Sequence, residues 1–93
     1  MKTHIFKYQL ADIYDLGKII EIEMPADCLG CDVNYQGNIV YMWALVDPDS
    51  PLVKRRFVIH GTGWRIDNSD DLRFIKTVHM PSGLVWHVFI VEE

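Results

Sequence analysis

Apolar residues alternate with a period of two along most of the chain, the pattern of β-strands whose successive side chains point to opposite faces. The clearest case is the segment 39–46, IVYMWALV, in which both alternating sets are apolar. One set is Ile39, Tyr41, Trp43 and Leu45, and the other is Val40, Met42, Ala44 and Val46. A strand that is apolar on both faces is expected in the middle of a sandwich or barrel.

Other segments alternate in a more one-sided way, as half-exposed antiparallel strands do. In residues 53–60, VKRRFVIH, basic residues lead the strand and apolar residues end it. In residues 72–80, Phe74 and Val78 fall on one face and Ile75 on the other. The pattern therefore predicts strands over residues 3–10, 18–24, 39–46, 53–60, 72–80 and 84–91.

Turn-forming residues divide these segments at intervals of about 8 to 14 residues, which is typical of an all-β chain. The one helical candidate, residues 11–16, is too short to be stable without tertiary support. We therefore expect a single domain, residues 1–93, with an all-β fold. The fold expected is one small antiparallel sandwich or barrel of about six to seven strands with short turns, arranged as a meander because sequential strands are commonly neighbours. Residues 47–51, DPDSP, are predicted to be the turn of a hairpin that joins 39–46 to 53–60.

Composition agrees with an ordinary globular domain, since 49% of the residues are hydrophobic and 24% are charged. The formal net charge of -4 gives no overall attraction to nucleic-acid phosphates or anionic membranes, so nucleic-acid binding is disfavoured. No apolar run approaches the roughly 20 residues of a transmembrane helix, and charges interrupt the N-terminal segment where a signal peptide has its apolar core. We expect a cytoplasmic protein that does not enter a membrane.

Two cysteines, Cys28 and Cys31, have the C-x-x-C spacing of zinc knuckles and dithiol redox sites. A structural zinc site needs four ligands, and no second pair of this kind follows. Residues three apart on a regular strand point to opposite faces, so the two sulfurs meet only if the chain forms a knuckle at Leu29-Gly30. We interpret both cysteines as ordinary core or strand residues and expect no metal and no cofactor.

The four histidines, His4, His60, His79 and His87, are the other potential ligands or acid–base groups. Three of them lie within or late in predicted strands, where a histidine is more often packed or hydrogen-bonded than functional. A metal-binding protein that uses Cys28, Cys31 and a histidine is kept as an alternative.

Two short motifs resemble ligand loops but lack the context that those loops need. The Gly-Thr-Gly at residues 61–63 does not open a helix, as dinucleotide and P-loop sites do, and is interpreted as a backbone bend. The acidic segment 67–71, DNSDD, has leucine where a calcium loop has glycine. The serines all lie in turns. We therefore expect no catalytic residue and no enzymatic activity.

Positive charge concentrates at one place, in the run Lys54-Arg55-Arg56 and on the following predicted strands. A tryptophan lies nearby, after the glycine-rich bend. Solvated charge on an exposed strand face is the ordinary explanation of such a pattern. The candidate binding surface consists of Arg55, Trp64, Arg65 and Arg73.

The segments WALVDP, GTG and GLVWHVF, together with HIFKYQL and IIEIEMP, resemble an uncharacterised family of small proteins encoded by bacteriophages and prophages. The similarity runs in the same order along nearly the whole chain. It implies a phage or prophage gene and a protein that works inside a bacterial host cell. It implies no catalytic residue.

We expect a non-enzymatic phage or prophage accessory protein that acts as a protein-binding module. The partner is unknown and is either a bacterial host factor or another copy of the chain. One alternative is a small-molecule or nucleic-acid binding domain that uses the basic-aromatic surface. The other is the metal-binding protein described above.

Overall fold

The computed structural model describes residues 1–92, which form seven β-strands in two antiparallel sheets. The strands are β1 (His4–Asp12), β2 (Ile20–Pro25), β3 (Leu29–Gln36), β4 (Ile39–Val46), β5 (Leu52–Gly61), β6 (Leu72–His79) and β7 (Val85–Val91). A three-stranded sheet has the order β1-β4-β3, and a four-stranded sheet has the order β2-β5-β7-β6. The predicted all-β fold is confirmed as a sandwich, and β4 has the predicted bounds.

The core lies between the two sheets. The even-numbered side chains of β4 point inward, and Val40, Ala44 and Val46 are fully buried there. The buried apolar residues of the core are Leu10, Ala11, Met24, Val33, Val40, Met42, Ala44, Val46, Phe57, Ile59, Val78, Trp86 and Val88. Within β4, β5 and β7 these residues occupy alternate positions. The period of two in the sequence therefore reflects the alternate side chains of these strands that point into the core.

The outward face of β4 is less covered than the sequence predicts. Ile39, Tyr41, Trp43 and Leu45 alternate with the buried residues and are all partly exposed. β4 is the middle strand of its sheet, but the four-stranded sheet covers its inward face alone. The expectation that both faces of this strand are buried is therefore wrong for the outward face.

Residues 47–51 do not form a hairpin turn, contrary to the prediction. β4 and β5 belong to different sheets, so this connection crosses from one sheet to the other. Asp47 organises the turn, because its carbonyl accepts a hydrogen bond from the Ser50 N–H at 3.1 Å and its carboxylate accepts one from the Asp49 N–H at 3.0 Å. The crossing lets the apolar faces of β4 and β5 pack against each other, which side-by-side pairing does not do.

The predicted meander is also wrong. Among residues 1–92, β3–β4 and β6–β7 are the two pairs of consecutive strands that are hydrogen-bonded to each other, while β1 pairs with β4 and β2 with β5. The β2–β5 register places Glu21 opposite Arg56 and Glu23 opposite Lys54. Opposite charges across neighbouring strands favour this pairing.

A bulge changes the faces of β6. The register shifts between Phe74 and Lys76, so Phe74 lies opposite Phe89 while Val78 lies opposite Trp86. Phe89 and Trp86 are three residues apart on β7 and point to opposite faces. Phe74 therefore faces outward and Val78 inward, and the single apolar face predicted for the two residues is wrong.

A second bulge lies in β3, the strand that the hydrophobic pattern did not mark. Its register shifts between Gly30 and Asp32. The strand lies at a sheet edge and has one fully buried side chain, Val33, so its alternation is weak in the sequence.

Candidate functional site

Arg55, the first residue of the predicted binding surface, points toward the interior of the sandwich. It shares the inward face of β5 with Phe57 and is half-buried. Its Nη2 donates a hydrogen bond to the carbonyl of Ala26 at 2.7 Å. Its Nε is buried and has no hydrogen-bond acceptor among residues 1–92. Arg55 is thus anchored at one end of the sandwich with an unused donor.

Arg73 lies near Arg55 although their strands do not pair. It is opposite Ile90 on β7, and its Nε lies 2.9 Å from Oε1 of Glu92 in an exposed ion pair. The two arginines line the same cavity, of about 210 Å³, between the sheets. The structure therefore brings together two of the four predicted residues.

Trp64 and Arg65 lie at the opposite end of β5. A Cβ atom on Gly61 would lie 2.7 Å from the indole of Trp64, so the ring packs directly on this glycine. The ring also makes an edge contact with Trp86 at a centroid distance of 6.0 Å. Nε of Arg65 lies 2.6 Å from Oδ1 of Asp67, and both side chains are exposed. The candidate binding surface is thus divided between two ends of the sandwich, and its binding role stays a prediction.

The cavity beside Arg55 and Arg73 has a largely apolar wall. Its lining includes Met24, Gly30, Met42, Phe57, Ile75 and Ile90. A second cavity, of about 200 Å³, shares Gly30, Met42 and Ile75 with it. Gly30 and Ile75 lie at the bulges of β3 and β6, so two irregular edge strands open the sandwich on this side.

An ion pair crosses this opening between the sheets. Nζ of Lys76 on β6 donates a hydrogen bond to Oδ1 of Asp32 on β3. This hydrogen bond is the main cause of the lowered pKa of Asp32, and it outweighs the opposing effect of burial. The lowered pKa keeps the carboxyl group of Asp32 ionised at neutral pH.

A shallow depression outside the cavity is predominantly basic. Lys54, Arg55, Arg56 and Arg73 line it together with one carboxylate, that of Glu92. Concentrated positive charge at the mouth of a low-dielectric cleft favours the approach of an anion.

His60 and His87 lie opposite each other on the outer face of the four-stranded sheet. Burial lowers the pKa of His60. Both ring nitrogens of His87 have partners, since Nε2 lies 2.7 Å from the Thr62 hydroxyl and Nδ1 lies 3.0 Å from the Thr77 hydroxyl. No group of three potential metal ligands occurs in the part of the chain that the structure describes.

Cys28 and Cys31 are free thiols in different surroundings. Cys28 is partly buried, and its Sγ lies 3.4 Å from Sδ of Met24. Cys31 is exposed in the β3 bulge, with its Sγ 3.7 Å from the carbonyl oxygen of Leu29. Burial raises the pKa of Tyr8, and the nearby Cys28 adds to this effect.

The two loop motifs serve as turns. Gly63 has a φ of 84°, which glycine adopts without strain, and the Trp64 N–H donates a hydrogen bond to the carbonyl of Gly61 at 3.2 Å. The acidic segment 67–71 is exposed and ends in a short 3₁₀ turn, Ser69–Asp71, before β6.

The outer face of the three-stranded sheet carries a row of apolar residues. The sequence did not lead us to expect that these residues are exposed. Ile5 and Leu29 lie on either side of Leu45 and are 62% and 60% exposed. Farther along this face, Nζ of Lys7 lies 4.0 Å from the ring centroid of Tyr41. The signal in the sequence was the second apolar set of β4, which the pattern assigned to the interior.

Comparison with known proteins gives a family but no activity. The family described as a domain of unknown function (DUF7352) matches residues 1–93. No curated protein and no solved structure matches the chain. Residues 1–92 contain no helix with the length and hydropathy of a membrane span.

Proposed function

We propose that this chain, which belongs to the DUF7352 family, is a non-enzymatic accessory protein of a phage or prophage that acts by binding protein. The phage origin is supported by the resemblance of the WALVDP, GTG and GLVWHVF segments, and it implies action in the cytoplasm of a bacterial host. The partner proposed is a second copy of the chain. The observation that carries the proposal is the apolar outer face of the three-stranded sheet, formed by Ile5, Leu29, Tyr41, Trp43 and Leu45.

The composition of this outer face favours contact with protein over contact with water. An antiparallel sheet with one solvated face usually alternates apolar side chains inward and polar side chains outward. Here the central strand instead presents aromatic and aliphatic side chains on its outward face, and polar residues of the edge strands, Gln9 and Asn34, flank Tyr41. A contiguous apolar surface with a polar rim is typical of an interaction site.

The arrangement across the outer face is self-complementary. Ile5 and Leu29 lie on opposite edge strands in one row, and Lys7 and Asp32 lie on opposite edge strands in the next. A two-fold axis parallel to β4, between two copies, brings each Ile5 over the Leu29 of the other copy. The same axis brings each Lys7 over the other copy's Asp32. Apolar groups then meet apolar groups, as the self-complementary patch of an isologous dimer requires, while Lys7 and Asp32 keep their contacts within each copy, to Gln36 and Lys76.

The size of the outer face indicates a weak dimer. Three strands spaced about 4.8 Å apart, each about eight residues long, cover a footprint of roughly 14 by 27 Å, or about 400 Å². A standard interface buries about 800 Å² on each partner. We therefore expect a weak dimer that is populated only at high protein concentration.

Sedimentation equilibrium between about 10 μM and 1 mM tests this proposal, with two matched variants. Leu29→Glu places a charge in the outer face, while Leu52→Glu places one at an equally exposed leucine on the four-stranded sheet, the two residues being 60% and 61% exposed. We expect Leu29→Glu to weaken dimerisation at least about tenfold, since a charge there loses its solvation in the dimer. Leu52→Glu should dimerise like the unaltered chain.

A chain that stays monomeric at about 1 mM contradicts self-association at these concentrations. Equal dimerisation of the two variants would show that the outer face is not the contact. If an identified bacterial protein binds the monomer, and Leu29→Glu abolishes that binding while Leu52→Glu does not, the outer face binds a host factor instead of a second copy.

A further inference from the structure

We propose that the cavity between the sheets at Arg55 and Arg73 binds a small molecule with an apolar body and one anionic headgroup, a carboxylate or a phosphate. This site is separate from the outer face, because the cavity lies between the two sheets and the outer face is on the opposite side of the three-stranded sheet. It goes beyond the proposed protein binding and does not depend on it.

The walls of the cavity fit an apolar body. Met24, Met42, Phe57 and Ile90 line it from both sheets, and Ile75 lines it at the bulge of β6. Small-molecule sites are commonly concave and apolar, with a few polar groups that fix the orientation of the ligand. The two arginines are such groups here.

Arg55 supplies a donor that the fold does not use. Its Nη2 is held by the carbonyl of Ala26, which fixes the guanidinium, while the buried Nε lacks an acceptor among residues 1–92. A guanidinium carries five N–H donors, and the bond to Ala26 uses one of them, so donors other than the enclosed Nε remain for a ligand in the cavity that Arg55 lines. The planar guanidinium matches carboxylate and phosphate oxygens.

The surroundings of Arg55 favour an anion. Lys54, Arg56 and Arg73 lie with it around the outer depression, where Nζ of Lys54 also lies 3.6 Å from Oε1 of Glu21. Glu92 is paired with Arg73, but the two side chains are 55% and 65% exposed. An exposed ion pair of this kind is weak, so an incoming anion can share Arg73 with Glu92 or replace it.

The dimensions limit the ligand to a small one. The cavity of about 210 Å³ is below the size of drug-binding pockets, which are roughly 300 Å³ or more. The adjoining cavity of about 200 Å³ leaves room for a short tail toward Gly30. Hexanoate and phenyl phosphate are suitable probes of the two headgroups.

Methyl NMR of the full chain labelled at methionine tests the proposal with an internal control. Met24 and Met42 line the cavity, while Met80 does not. We expect hexanoate, phenyl phosphate or both to shift the Met24 and Met42 signals with a dissociation constant below about 5 mM, and to leave Met80 in place. The probe that binds identifies the headgroup. Hexanamide, which has the shape of hexanoate without its charge, should bind at least about tenfold more weakly.

Three variants locate the site. Arg55→Met keeps the length of the side chain but removes its donors, and should weaken binding at least about tenfold. Gly30→Leu should abolish binding by filling the cavity, because a Cβ at position 30 meets open space and the glycine does not have a positive φ. Arg65→Met, at the other end of the sandwich, should bind like the unaltered chain. Far-UV circular dichroism checks that each variant is folded, and Arg73→Met replaces Arg55→Met if the latter is not.

The proposal is overturned if Met24 and Met42 stay unshifted by both anions at about 20 mM. It is also overturned if hexanamide binds as tightly as hexanoate, or if folded Arg55→Met and Arg65→Met bind equally well.

Discussion

Replacing Gly61 with alanine is expected to displace Trp64 from the end of β5. The added Cβ would lie 2.7 Å from Cε2 and Nε1 of Trp64 and 3.1 Å from Cζ3 of Trp86. Carbon atoms in contact are optimally about 3.5 to 4.0 Å apart, so the indole of Trp64 has to move. Since Gly61 is buried and held within β5, the backbone has less freedom to yield than the partly exposed ring.

The cost of Gly61→Ala follows from the burial of Trp64. Its exposed fraction is 46%, so the fold covers about half of the side chain. A tryptophan buries at most about 250 Å², so the covered area is about 130 Å², which contributes about 3 kcal/mol at about 25 cal/mol per Å². This is an upper bound, because the unfolded chain already covers part of the ring, and a ring that shifts without leaving loses less. We expect Gly61→Ala to lower the free energy of unfolding by about 1 to 3 kcal/mol, and Tm by roughly 5 to 20 °C.

A double-mutant cycle with Trp64→Ala isolates the steric clash between the added Cβ and the indole of Trp64. Urea unfolding followed by far-UV circular dichroism gives the free energy of each variant without relying on tryptophan fluorescence. Once the indole is absent, Gly61→Ala should cost clearly less, because only the 3.1 Å contact with Cζ3 of Trp86 remains, so the two substitutions should be strongly non-additive. If Gly61→Ala lowers the free energy of unfolding equally with and without Trp64, the contact with the indole is not the reason for glycine at position 61.

Three further outcomes are expected. Gly30→Ala should raise the free energy of unfolding by about 0.5 to 1 kcal/mol in urea, since its Cβ meets no atom within 4 Å; destabilisation would contradict this. The pKa of Asp32 is lowered in the folded state by Lys76, so its stabilising contribution is present above about pH 5 and is lost as the pH falls through the folded-state pKa. Asp32→Asn should therefore make stability less pH-dependent between about pH 5 and 3 in urea titrations; an unchanged slope would count against the bridge. Thr77→Val removes the hydroxyl 3.0 Å from Nδ1 of His87 and should lower the free energy of unfolding by about 1 kcal/mol, and Tm with it. An unchanged Tm would show that this contact is not stabilising.

Local alternation was enough to predict where most strands lie. β4 was predicted at its observed bounds, because eight consecutive residues of high β-propensity lie between clear turn signals. β3 was not marked, since an edge strand with glycine, bulged and burying only Val33 fully, leaves little alternation to detect. A glycine inside an extended segment, here Gly30, was the available signal of the bulge.

The candidate site was predicted less well than the strands. Arg55, Trp64, Arg65 and Arg73 were grouped because they were expected on or beside adjacent strands, and the structure separates them into two pairs at opposite ends of β5. The cavity at Arg55 and Arg73 is lined by residues from six strands, and no local pattern relates these residues to one another.

The sequence by itself determined the all-β class, most strand positions and which residues of β4 and β5 share a face, because side-chain alternation follows from the geometry of a single extended backbone. Only the tertiary structure decided that residues 47–51 cross between sheets, that β2 pairs with β5, and that β3 and β6 leave a cavity between them. Those features depend on which distant segments meet. Alternation specifies a face for each strand but not the partner that covers it.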